Sequence, residues 1–232
     1  MEQVFSFIKI VAIIQLIIVI GLVLMAYALR IYIDYSRRRR QKLQQKIEHY
    51  LLDCIHQQTR FELKFFQAHQ HHLILILQVI QQIDLSIPKD NPLWESIRKQ
   101  IQQKILLPRA RPLATSKNWI NRYKYCEILQ LAFQKEDELN LKKLIEDPIP
   151  LVSINAATLA FQFPSTLLVN TVIDSFSSRR RVQQSFYAQI TSSANASLIS
   201  LIAHRLEYEK NPYIKTFCYR ILTQLSLSLI HI

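Results

Sequence analysis

Glycine is almost missing from this sequence: among 232 residues there is one, Gly21, inside an apolar run near the N-terminus. Everything after it must use backbone that residues with a Cβ tolerate. That excludes a P-loop, a G-x-G-x-x-G dinucleotide turn and a G-x-S-x-G nucleophile elbow, which need positive φ or close backbone approach to a ligand. The type I′ and II′ turns that close antiparallel hairpins are disfavoured for the same reason. Cysteine is scarce too. Cys54, Cys126 and Cys218 are odd in number and form no C-x-x-C pair, so they read as buried thiols in a reducing compartment, not as a disulfide or metal framework. What remains is half apolar, rich in Leu, Ile, Gln, Lys and Arg and punctuated by prolines. The expectation is an all-α chain.

Residues 10–29, "IVAIIQLIIVIGLVLMAYAL", contain only Gln15 as a strongly polar side chain. At 1.5 Å per residue they span roughly 30 Å, the thickness of a bilayer's hydrocarbon core. Lys9 and Arg30 bracket the run, and Tyr27, Tyr32 and Tyr35 suit an interfacial belt. A cleavable signal peptide has a shorter apolar region and a basic start. The reading is a transmembrane helix over 10–33 behind a short extracytoplasmic segment, 1–9.

A basic juxtamembrane segment, 34–46, follows. Across 30–46 there are seven bases against one acid, Asp34, which is half of the chain's formal +12. The positive-inside rule then puts the N-terminus outside and the remainder in the cytoplasm, at a cell inner membrane. Arg37, Arg38, Arg39, Arg40 and Lys42 are the lipid-proximal candidates, holding anionic head groups at about 1 kcal/mol per base. A nucleic-acid arm is the weaker reading, because a duplex there would meet the negative leaflet. Residues 47–232 carry 21 bases and 15 acids, an ordinary surface.

Residues 47–90 read as a helical stalk. Leu43, Ile47, Tyr50, Cys54, Phe61, Ala68, Leu75 and Val79 follow steps of four and three with gaps, in one long helix or two broken near "HQHH". Packing onto the following helices fits better than a coiled coil. His69, His71 and His72 have no carboxylate or cysteine near them to complete a metal site. From 91 to 228 helices come in pairs. Asn91-Pro92 starts one through about Leu107, which "PRARP" ends, and Ser116 caps the next. Further helices are expected near 139–146, across "LVSINAATLAFQF", after Ser165, at 179–191, from Asn195 and from Asn211-Pro212.

Aligning Asn121, Val152, Val182 and Ile214 superposes Tyr125-Cys126, Ala156-Ala157, Phe186-Tyr187 and Cys218-Tyr219. A helical pair recurring at this spacing cannot bury its apolar face alone, but a stack can. On Asp147, Pro148, Val152, Ala156 and Ala157 of "DPIPLVSINAATLAF", the sequence resembles the HEAT-repeat family. The Asn211-Pro212 repeat matches more loosely, and the others match by spacing. The resemblance implies an α-solenoid of about four helical pairs, used as a docking scaffold without catalytic activity or a cofactor of its own. Ala156 and Ala157 would fall where neighbouring repeats approach, with Asn155 nearer solvent.

The family's basic position appears as Arg122 and Lys215 but is Ser153 and Gln183 elsewhere, so the polar ladder between repeats is incomplete by sequence. Similar membrane-anchored HEAT proteins suggest an accessory of membrane-bound machinery such as a polysaccharide glycosyltransferase or export system. The terminal "LSLIHI" lacks the polar cap that a solenoid needs and resembles a translated sequencing adapter. The expectation is that 225–232 are an artefactual or truncated end and that the natural chain continues differently after about Gln224.

Arg179, Arg180 and Arg181, with Arg122 and Lys215, are the candidate partner-binding residues. Three arginines at a helix start oppose the macrodipole, which argues against a local structural role and leaves a solvated corner as the alternative to docking an acidic segment or phosphate. The uncharged alternatives on the second helices are Tyr125, Phe186 and Tyr219. A protein partner is the leading reading, with a tethered nucleic-acid-binding solenoid as the alternative and a small-molecule substrate disfavoured. For catalysis the sequence offers only Glu136, Asp137 and Glu138, which read as a solvated turn.

Overall fold

The computed structural model describes residues 2–56, 59–88, 91–177 and 197–230, and every regular element among them is helical. The backbone divides into two units, Met1–Phe61 and Glu62–Ile232.

The first unit is a single helix, α1 (Glu2–Ile55), 54 residues without a break. The apolar run and the basic segment are therefore one rod of roughly 80 Å at 1.5 Å per residue. Its described apolar window has a mean hydropathy of 2.0 and none of it is buried, so it is long and apolar enough to cross a membrane. Leu22 and Leu24, which point to opposite sides, are 62% and 63% exposed. No proline or glycine ends α1. The chain turns there because the Thr59 amide donates to the Asp53 carbonyl at 3.3 Å, and the Tyr50 hydroxyl to the Arg60 carbonyl at 3.4 Å. The sequence suggested helix through to "HQHH", and this earlier stop corrects it. Local hydrogen bonds to orphaned terminal carbonyls carry no strong composition signal.

The second unit opens with α2 (Leu63–Ala68) and α3 (Leu73–Ser86), separated at the histidines as expected. Helix α3 buries Leu75, Ile76, Leu77, Val79, Ile80 and Ile83 on one broad face and leaves Gln78, Gln82 and Leu85 exposed on the other. Asn91 caps α4 (Pro92–Ile101), its side chain accepting the Trp94 amide at 3.0 Å. Asp84 on α3 accepts from the Trp94 indole at 2.7 Å, which ties the two helices.

The "PRARP" segment does not end the helix. A π turn (Gln102–Leu106) leads into α5 (Leu107–Ala110) and a 3₁₀ turn (Arg111–Thr115). The wider turn directly precedes Pro108, whose ring would clash with the carbonyl four residues back in a regular α-helix.

Asn118, not Ser116, caps α6 (Trp119–Ala132), accepting the Ile120 amide at 3.0 Å. Ser116 instead accepts from the Asn118 amide and the Asn121 side chain. A 3₁₀ turn (Lys135–Asp137) precedes α7 (Glu138–Ile145), and Pro150 opens α8 (Pro150–Gln162). Ser165 caps α9 (Thr166–Ser177) through the Leu168 amide, as read from sequence. The expected helix at 179–191 and its neighbour Asn195 lie outside the described residues. The chain resumes with α10 (Ser197–Tyr208) and α11 (Pro212–Ile230), the latter capped by Asn211.

From α6 onward the described helices pack mainly on elements close to them in the chain. Helix α7 packs on α8 and α9, α6 on α8, and α9 on α10 and α11, with α10 against α11. Helices α6 and α8 run in the same direction. Near their starts Arg122 pairs with Asp147, midway Asn155 donates to Glu127 at 2.8 Å, and at their ends Phe133 stacks on Phe163 with centroids 4.9 Å apart. Helix α8 touches α6, α7 and α9, and its Ala156, Ala157 and Ala160 are fully buried. Small side chains permit that three-sided approach.

Ala157→Leu should therefore destabilise the chain by about 1–3 kcal/mol through overpacking. Asn155 also accepts from Gln130 at 3.1 Å, so it faces α6 and not open solvent. Asn155→Leu should cost about 1–2 kcal/mol from lost hydrogen bonds. Guanidinium midpoints of the detergent-solubilised chain check both, and an unshifted midpoint for Ala157→Leu would contradict the close packing around α8.

Candidate interaction surfaces

Three arginines organise the polar interior of the second unit. Arg122, near the start of α6, donates to both carboxylate oxygens of Asp147, at 2.5 and 3.0 Å. Its remaining terminal nitrogen donates to the Ser116 and Lys117 carbonyls at 2.7 and 3.1 Å. Asp147 also accepts the Ile149 amide at 2.9 Å, fixing the turn into α8. The hydrogen bond to Asp147 holds the Arg122 guanidinium pKa above its ordinary value.

The second arginine, Arg111, donates to Asp137 at 2.9 Å and to Gln134 at 2.8 Å, and lies 3.2 Å from Glu136. The Tyr125 hydroxyl donates to the same Asp137 oxygen at 3.0 Å. Asp137 is fully buried. This corrects the solvated turn expected for Glu136, Asp137 and Glu138: Glu136 stays exposed, while Glu138 bonds the Ser165 hydroxyl. A buried carboxylate is stable here because an arginine and a phenol supply its hydrogen bonds.

The third, Arg205 on α10, reaches Asp174 on α9 at 2.7 Å and Glu209 at 2.8 Å. The Asn211 and Lys210 amides and Arg205 hold Glu209 below the usual carboxylate range. Among the described residues, no buried side-chain nitrogen or oxygen lacks a partner.

The basic segment of α1 has a different character. Arg37, Arg38, Arg39, Arg40 and Lys42 are all exposed. Because they are consecutive on a helix turning about 100° per residue, the four arginines point all round the axis within roughly 5 Å of its length. The result is a collar, not a face. A layer of anionic head groups around a spanning helix meets every side of a collar, whereas a docked protein or duplex meets one.

The sequence-derived docking residues differ in their exposure. The Arg122 guanidinium is engaged internally, and its side chain is 15% exposed. Lys215 is half-buried on α11. Tyr125 is buried and cannot face a partner, while Tyr219 is 60% exposed. Arg179, Arg180, Arg181 and Phe186 lie outside the described residues. All three cysteines are free and buried, and no group of three or more His, Cys, Asp or Glu could hold a metal among the described residues.

Sequence reasoning missed the Arg111–Asp137 and Arg205–Asp174 links. Their separations of 26 and 31 residues, with 25 for Arg122–Asp147, are close to one helical pair. A search for opposite charges at that spacing would have found them. Exposed apolar side chains cluster at helix starts, with Ile120 on α6, Leu151 on α8 and Tyr213 on α11 at 43%, 48% and 73%. A groove of about 500 Å³ between α9 and α10 is lined by Asn170, Ser200, His204, Arg205 and Tyr208 among others. Comparisons with protein families, curated proteins and solved structures find no match.

Two outcomes follow from the buried groups. Asp147→Ala strands Arg122 against two carbonyls, and breaking a buried pair from one side typically costs about 3–5 kcal/mol. The guanidinium midpoint should fall accordingly, and a shift below about 1 kcal/mol would remove the pair from its structural role. Burial, with the Glu127 and Asp147 charges adding to it, pushes the Cys126 thiol up from 9.0 to about 12. Burial likewise raises Tyr125. Both are neutral when protonated, and the unfolded chain releases those protons first. Their stability contribution is complete below about pH 9 and is lost as the pH climbs toward 12. The melting temperature should decline over that window, and Cys126→Ala should make the decline shallower.

Proposed function

We propose that this chain is a single-pass membrane-anchored scaffold. The N-terminus lies outside, the second unit lies in the cytoplasm, and the helical pairs of that unit stack as a HEAT-like solenoid that docks a protein partner at the inner membrane. One observation carries the reading: the uncovered apolar stretch of α1 continues without a break into the arginine collar. Such a helix has no stable place in water. In a bilayer its apolar part faces lipid and its collar meets the anionic leaflet.

Several features of the second unit support the repeat reading. Of the described superposed positions, Tyr125, Cys126, Ala156, Ala157 and Cys218 are buried and Tyr219 is exposed. Helices α6 and α8 pack in the same direction, as second helices of successive pairs do in a solenoid. Arg122 with Asp147 forms one rung of the polar ladder. For docking, the reading keeps Arg179, Arg180 and Arg181 on sequence grounds, with Lys215, and leaves out Arg122 because its donors are occupied. Membrane-bound polysaccharide machinery is the kind of partner that the family resemblance suggests.

The test has two arms. A reporter active only outside the cytoplasm, fused after Gln103, should be silent, and strong activity would overturn the orientation. Capture from solubilised membranes with the intact chain should recover a membrane protein. Changing Arg179, Arg180 and Arg181 together to Gln should reduce that recovery severalfold with the helical signal unchanged. Recovery of nucleic acid with steep salt dependence would favour the tethered nucleic-acid reading instead.

A further inference from the structure

Gln15 is the strongly polar side chain of the apolar run, and it is exposed on α1. It lies five residues past Ile10, roughly 8 Å inside the run at 1.5 Å per residue. In a lone helix its two N–H donors and its carbonyl acceptor face hydrocarbon, where nothing answers them. We propose that a second copy of this chain covers this face, the two α1 helices packing in parallel with their Gln15 amides hydrogen-bonded to each other. The inference rests on the membrane-anchor reading above. A primary amide is donor and acceptor at once, so a two-fold pair satisfies itself, Nε2–H of each meeting Oε1 of the other.

The face continues as a seam. Val19, Leu22, Ala26, Leu29 and Ile33 follow Gln15 in alternating steps of four and three, and all are exposed in the single chain. At about 100° per residue they fall within about 40° of the Gln15 line. That spacing is the one that lets two helices pack side by side with a left-handed wrap. Ala26 near the middle is small enough for the backbones to approach. Beyond the seam Arg37 and Arg40 repel their copies, and anionic head groups between the helices screen that repulsion.

The experiment uses the full chain, labelled in separate batches with donor and acceptor dyes at the N-terminus. The batches are reconstituted together in phosphatidylcholine–phosphatidylglycerol vesicles, and alkaline carbonate extraction first reports whether the chain is inserted. The expected result is a chain that stays with the membrane and shows energy transfer that falls on dilution with lipid. Gln15→Leu should weaken association roughly tenfold, while Gln15→Asn, which keeps an amide, should retain most of it.

Because the native cysteines are buried, a disulfide-linked dimer reports a cysteine placed in α1. Leu22→Cys should give it under mild oxidation, and Leu24→Cys, on the opposite side, should not. An inserted chain without energy transfer, a Gln15→Leu variant that associates as tightly as wild type, or equal cross-linking at 22 and 24 would overturn the pairing and leave the anchor standing. A chain stripped from the vesicles by carbonate would overturn both.

Discussion

The buried pair between Arg122 and Asp147 ties the start of α6 to the turn before α8. Asp147 sits in the turn that starts α8, and Arg122 sits one turn into α6. Their bidentate contact sets how far α8 is displaced along α6, and Asn155 and the Phe133–Phe163 stack agree with that displacement. Taking two charges out of water is costly unless every donor and acceptor is answered. Here the Ser116 and Lys117 carbonyls complete the guanidinium and the Ile149 amide completes the carboxylate. The pair therefore acts as a register device: only one alignment of the two helices satisfies all of its bonds.

Given that register, apolar packing follows. Helix α8 meets three neighbours, and its run of Ala156, Ala157 and Ala160 holds the axes close. The Asp137 cluster does comparable work one helix earlier, tying the 3₁₀ turn after α5 to the start of α7 through Arg111 and Tyr125. Arg205 does it again between α9 and α10. Close-packed interiors tolerate such buried polar groups only when they are fully bonded. Among the described residues these networks are fully bonded, which suits the proposed role of a scaffold.

Helix α1 obeys a different constraint. Its apolar stretch is hydrophobic all round, uncovered, and long and apolar enough to cross a membrane. The collar at Arg37–Arg40 is just as isotropic. Symmetry about the helix axis is what a lipid environment demands, and Gln15 is the residue that breaks it. One polar amide on an otherwise uniform surface selects a face, which is the physical basis for the proposed pairing of two copies.

The sequence by itself determined the helical class, the apolar span, the basic segment, and most helix starts. Those are local properties: one glycine in the whole chain, Asn-Pro and Ser caps, and a hydrophobic run of bilayer length act on neighbouring residues only. It left open what depends on residues far apart in the chain. That Asp137 and Tyr125 are buried was decided by tertiary structure, through the Arg111–Asp137 and Tyr125–Asp137 hydrogen bonds. That α1 stops at Ile55 and that Asn118 caps in place of Ser116 turn on local hydrogen bonds that residue composition does not single out. Arg122 shows the difference most plainly. Its position in the repeat was legible as a basic site, but whether its guanidinium faced a partner or the turn before α8 depended on Asp147, 25 residues away, and a buried carboxylate binds it more strongly than solvent does.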